Sequence, residues 1–254
     1  MKKILLSGVG IIVLAGAIYG TYTLTKEKVY LEKDVNCDFD AGICYDLKGT
    51  PITGRIKSYD NNILISNIEY KNGKEDGELK IYQNDGSLFL EGTYKEGKPH
   101  GIVKEYNPDG SILSYDEFQN GIQHGKSIIY NKNKKLLKEW HYKMGTPVNT
   151  GKVFYDNGNP QIEINFDKGE LKNYNEDGSI NTVAHFNEKG YNGLWTIYNP
   201  DGSTKAEINY IDNNATSGYC LDKNQNKVEF DDTAFENFAH KGQTPCDEVS
   251  TNNQ

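Results

Sequence analysis

An aromatic residue returns along this chain at a nearly constant interval: Tyr70, Tyr94, Phe118, Tyr142, Phe166, Phe186 and Tyr210, with steps of 24, 24, 24, 24, 20 and 24 residues. A second series, Tyr59, Tyr82, Tyr106, Tyr130, Tyr155, Tyr174 and Tyr198, runs ahead of it. Self-similarity at a fixed period restricts a chain to architectures in which each unit is one supersecondary element stacked on its copies. A catalytic motif is usually written once. Here "YNPDGS" is written at 106–111 and again at 198–203, with "YQNDGS" starting at Tyr82 and "YNEDGS" at Tyr174.

Each unit reads as a hairpin. A short strand leads to the turn, whose key position holds Asn62, Gly86, Gly110, Lys134, Gly158, Gly178 and Gly202. Five of these seven are the glycine that a positive φ favours. A second strand then ends on the ladder aromatic, and a glycine turn such as "KEGKPHG" at 95–101 sends the chain into the next unit. Alternation puts Leu88, Leu90 and Tyr94 on one face, as it does Ile162, Ile164 and Phe166, and puts Glu91, Thr93, Glu163 and Asn165 on the other. The fold class expected is all-β: an elongated antiparallel meander of tandem hairpin repeats over 54–217, apolar on one face. A lone hairpin is unstable in water, so the units hold only by pairing with one another. At about 4.8 Å per strand, seven hairpins extend roughly 65 Å.

Composition agrees, with 36% hydrophobic residues, 26 glycines and 18 tyrosines. The formal charge of -8 repels phosphate backbones and anionic lipid headgroups, which argues against a nucleic-acid partner. Membrane contact is left to the N-terminus, where Met1-Lys2-Lys3 precedes 22 uncharged residues from Ile4 to Thr25. Residues 1–25 read either as a signal peptide cleaved near Ala15-Gly16-Ala17 or as an uncleaved anchor, since 22 helical residues span about 33 Å. Both readings put the rest of the chain outside the cytoplasm, in the periplasm or at the cell surface.

Four cysteines flank the array, Cys37 and Cys44 in an N-terminal cap at 26–53, Cys220 and Cys246 in a C-terminal cap and tail at 218–254. An even count in an exported chain suggests disulfides. An elongated array keeps its ends too far apart for a bond that needs Cα atoms within about 7 Å, so the expected pairs are Cys37–Cys44 and Cys220–Cys246. The same separation argues against a shared zinc site. In "DDTAFENFAHKG", the Thr233 and Glu236 spacing suggests a capping box and Gly242 a stop, which predicts one short helix over the last hairpin. The tail "DEVSTNNQ" reads as disordered.

Histidines offer little chemistry. His100 and His124 share a repeat position with Asp76 and Asn192, which suggests a turn preference, while His141 and His185 sit beside ladder aromatics on the polar face. Nucleophile-elbow, zincin, P-loop and dinucleotide signatures are missing, so no catalytic, cofactor or metal site is assigned. What remains is the apolar face. Tyr70, Tyr94, Phe118, Trp140, Tyr142, Phe166, Phe186, Trp195 and Tyr210 would form a strip longer than one helix can cover, and such strips mark partner sites. The competing reading is that twist and crowding bury the strip within the sheet.

The units "GELKIYQNDGSLFLEGTYKEGKPHG" and "GIVKEYNPDGSILSYDEFQNGIQHG" resemble MORN repeats in their bacterial variant form, known as the YwqK-type antitoxin component of toxin–antitoxin modules. "KGTPITGRI" at 48–56 is similar to that variant as well. The resemblance implies a repeat sheet without catalysis and an antitoxin or immunity role toward a protein partner, a toxin. The alternative is an envelope module that binds wall glycan or membrane lipid.

Overall fold

The structure is a computed structural model that describes residues 28–242 and 244–247. The apolar segment at 1–25 and the tail from 248 onward lie outside the described residues. Among the described residues no helix is long and apolar enough to cross a membrane.

Strand β1 (Val29–Leu31) precedes a separate two-stranded hairpin, β2 (Val35–Asp38) with β3 (Ile43–Asp46). The repeat hairpins follow. They are β4–β5 (Gly54–Asp60, Ile63–Lys71), β6–β7 (Lys74–Tyr82, Leu88–Lys95), β8–β9 (Lys98–Tyr106, Ile112–Gln119) and β10–β11 (Ile122–Tyr130, Leu136–Lys143). Next come β12–β13 (Thr146–Phe154, Pro160–Asn165), β14–β15 (Glu170–Tyr174, Ile180–Asn187) and β16–β17 (Gly190–Tyr198, Thr204–Ile211). An eighth hairpin, β18 (Asn214–Leu221) with β19 (Lys227–Glu229), leads into helix α1 (Asp232–Lys241). Each strand from β4 to β19 pairs antiparallel with the next, and β1 adds in parallel beside β4, giving one sheet of 17 strands.

The repeated turn explains the repeated sequence. In "QNDGS" the Gln83 amide donates to the Ser87 carbonyl and the Gly86 amide to the Gln83 carbonyl, while the Asp85 carboxylate accepts from the Ser87 amide and hydroxyl. The same closure recurs at 107–111, 131–135, 155–159, 175–179 and 199–203. Lys134 occupies the glycine position with φ 62°, so the chain keeps the conformation where it lacks the favoured residue. The first hairpin differs, turning on Asn61 and Asn62 alone with φ of 47° and 68°. The eighth lies beyond the sequence period, which ends at 217: "DKNQN" has no turn glycine, yet Asp222 and Asn226 close the same turn with Gln225 at φ 66°.

Every return strand from β6 to β18 except β14 carries a bulge, where Gly125 shows why glycine recurs. Its φ is 114°, and a Cβ there would overlap the Glu117 side chain, whose Oε2 accepts the Lys126 amide at 3.1 Å. Across the polar face, cross-strand register alternates sign through Lys80, Glu91 and Lys104, and through Glu139, Lys152, Glu163 and Lys172. Ion pairs close along it, including Lys126–Glu139 at 2.7 Å and Lys152–Glu163 at 3.2 Å.

Both ends of the apolar face are capped. At one end Cys44 and Ile52 pack on Ile56 and Tyr70 of the first hairpin. At the other, Phe230 and Ala234 close over Ala206, Ile208 and Cys220. Disulfides join Cys37 to Cys44 and Cys220 to Cys246, the two pairs expected from an elongated array. Helix α1 is capped two residues earlier than the sequence suggested. Asp231 accepts the Ala234 amide at 2.8 Å, which puts Thr233 inside the first turn, and Gly242 ends the helix at φ 65° as expected.

Candidate functional site: the aromatic face between the caps

Register gathers the nine aromatic positions onto one face. Ile68, Leu79, Gly92, Val103, Asp116, Ser127 and Trp140 oppose one another in succession along its midline, and Ile164, Leu171, Ala184, Trp195 and Ile208 continue it. The ladder aromatics flank that midline two residues away, so side chains meet across neighbouring units. Tyr70 is buried under the N-terminal cap, and Trp195 and Tyr210 pack beneath α1, with Trp195 edge-on to Phe238 at 6.0 Å. Tyr94, Phe118, Trp140, Tyr142, Phe166 and Phe186 lie between the caps, half-buried. Crowding within the sheet hides much of each ring, and the caps cover only the ends.

Small residues make room for the large ones. The Trp140 ring reaches within 3.2 Å of where a Gly151 Cβ would stand, lies 5.2 Å from Phe166 and 6.1 Å from Tyr142, and carries the Lys138 ammonium 4.3 Å from its centroid. Burial holds the tyrosine hydroxyls of this face protonated. It pushes Tyr70 up to about 12, with Glu75 adding to the shift, and raises Tyr94, Tyr142 and Tyr210 in the same direction.

One unit departs from the period. Tyr174 follows Phe166 by eight residues where twelve separate Tyr94 from Tyr106, so the four-residue return that carries the bulge is missing. Strand β14 begins at Glu170, opposite Asn165, and nothing on it opposes Phe166 as Pro99 opposes Tyr94. Gly169 closes the shortened turn, its backbone so near the Phe186 carbonyl that a Cβ would not fit. The gap is a notch of about 230 Å³ lined by Ile164, Phe166, Leu171, Phe186, Gly190 and Tyr191. The step of 20 residues was its signal in the sequence.

The histidines are structural where their bonds are seen. Asp76, His100 and His124 occupy one repeat position, and each accepts an amide from the glycine turn that leaves its own hairpin: Glu96 at 3.3 Å, Asn120 at 3.4 Å and Met144 at 3.3 Å. His185 Nδ1 lies 2.9 Å from the Leu194 carbonyl. Among the described residues no group of three His, Cys, Asp or Glu side chains is placed to hold a metal.

Fold and face together define a tandem β-hairpin repeat protein with one aromatic surface. Five of its segments, residues 75–96, 99–120, 123–144, 148–168 and 191–212, match the MORN repeat variant family. These five segments therefore carry the MORN repeat pattern, a repeat type often found in binding roles. The interval between the fourth and fifth matches holds the shortened unit. No curated protein matches the chain.

Proposed function

We propose that the chain is an exported, non-enzymatic binding protein that holds a protein partner on its aromatic face, in the role of an antitoxin that occupies an exported toxin. The observation that carries this reading is the asymmetry of the sheet. One face neutralises its own charges, while the other presents half-buried rings between two caps that stop short of them. Export is supported by the two disulfides, which persist in oxidising compartments, and by the uncharged stretch after Lys2-Lys3. The antitoxin role rests on the resemblance to YwqK-type repeats.

A photo-cross-linking residue placed at Phe118, on the aromatic face, is compared with the same residue at Tyr115, on the polar face of the same strand. The expected result is a discrete protein adduct from position 118 in envelope extract, and none from 115. Adducts from 115 alone, or retention of the protein on wall material or liposomes instead, would overturn the reading. The antitoxin role further expects that the cross-linked protein arrests cells from which this chain is deleted.

A further inference from the structure

The aromatic face carries charge. Register places three carboxylates on it: Glu75 opposite Tyr70, Glu105 opposite Leu90 and Ser114, and Asp116 opposite Val103 and Ser127. On the polar face Glu69, Glu78, Glu91, Glu139, Glu163 and Glu170 each have a lysine or arginine within reach. None of the three inner carboxylates makes an ion pair among the described residues. Glu75 bonds with the Tyr70 hydroxyl and Asp116 accepts from Gln123 Nε2 at 3.1 Å, while Glu105, half-buried, has no side-chain partner there. Lys138 is the lysine of this stretch, and its ammonium lies over Trp140.

This pattern decides the chemistry of an occupant. Covering Glu105 and Asp116 with apolar side chains would strip water from carboxylates and return nothing, whereas lysine or arginine would pair with them and lie against tyrosine rings. The notch beside Phe166 makes the opposite demand, because its lining is apolar and accepts a bulky side chain without charge. Five strand spacings separate β9, which carries Asp116, from β14. That is about 24 Å, the reach of about seven extended residues or sixteen helical ones.

Resting on the function proposed above, we propose that the docking segment of the protein partner is amphipathic and basic. It sets lysine or arginine over Glu105 and Asp116 and seats one bulky apolar side chain in the notch between Phe166 and Phe186. The test titrates the purified protein with three synthetic peptides that share a leucine pattern and one tryptophan and carry arginine, glutamine or glutamate at the polar positions. The arginine peptide is expected to bind, roughly tenfold tighter than to the Glu105→Gln, Asp116→Asn double variant, the sum of two half-exposed ion pairs. Added salt should weaken it. Its bound tryptophan should slow amide exchange at 164–191, a readout independent of the carboxylate variants. Equal binding of the arginine, glutamine and glutamate peptides overturns the basic occupant while leaving the face reading intact. Failure of all three overturns this inference, and the cross-linking contrast between positions 118 and 115 then judges the face by itself.

Discussion

Lys134 sits at φ 62°, where glycine stands in five other units. A left-handed conformation strains an L-residue by about 1–2 kcal/mol, and glycine removes that strain while losing about 0.5–1 kcal/mol to a more disordered unfolded chain. The Lys134 contact to Asp109, at 2.9 Å between two exposed groups, adds little. Lys134→Gly should therefore stabilise the protein by roughly 0.5–1 kcal/mol, read as a higher urea midpoint. A lowered midpoint would show that the turn is not strained. Tyr70 makes a prediction of the other kind. Its hydroxyl titrates near 10 when unfolded, but burial and then Glu75 push it up to about 12 in the fold. Because the unfolded chain gives up this proton first, the stabilisation is complete below pH 10 and disappears as pH rises through 12. It amounts to something on the order of 2 kcal/mol. Tyr70→Phe should shift alkaline unfolding, followed by circular dichroism, to higher pH. An unchanged midpoint would place that transition elsewhere.

At the scale of the element, the first strand of each of three hairpins is stapled to the turn that leaves the same hairpin by the side chains of Asp76, His100 and His124. His124→Ala should lose about 0.5 kcal/mol, one exposed hydrogen bond, and quicken exchange of the Met144 amide. His124→Asp should restore both, because Asp76 already does the same for Glu96. Failure of the aspartate to rescue would mean that ring packing, not the accepted bond, sets the turn. Hairpins, faces and turn chemistry were legible in the sequence because each is dictated locally, by alternation or by a positive φ, and cysteine pairing because an elongated array keeps its ends apart. The staples were not, since their partners stand 20 residues apart and only the pairing of a hairpin's two strands brings them together. The eighth hairpin escaped for a different reason. Strand β19 has three residues, and its turn is written with Asp222, Gln225 and Asn226 in place of the glycine motif. Asp222, which accepts the Asn224 and Asn226 amides as Asp46 accepts those of Lys48 and Thr50, was the residue that could have disclosed it. The extent of the open strip was equally hidden, because it depends on which rings the two caps reach.

The whole molecule behaves as a stack in which each hairpin is held mainly by its neighbours, so its weakest interface governs how it opens. Among the pairs from β4 to β18, that interface lies at the short unit, since the three-residue pairings of β1 and β19 belong to the disulfide-bridged ends. Strands β13 and β14 meet over four paired positions, Ile162–Asn165 with Glu170–Asn173, where β6 and β7 meet over six. The missing four-residue return also leaves Phe166 without a partner on β14 and the notch unfilled. The ends are bound differently: each carries a disulfide and a buried cluster, Cys37–Cys44 with Ile52 and Cys220–Cys246 with Ile208. Free ends of a repeat stack usually fray first, but here the bridges oppose fraying while nothing equivalent reinforces the short unit. Native-state amide exchange should therefore show its lowest sheet protection at 160–174, between two more protected blocks. Inserting the four residues Lys-Pro-His-Gly after Gly169 should restore the period, fill the notch and raise protection there toward that of β6–β9. Exchange that begins at the disulfide-bridged ends, or an insertion that loosens the sheet, would show that the short unit is a tight joint and that the notch is held open by contacts stronger than pairing alone supplies.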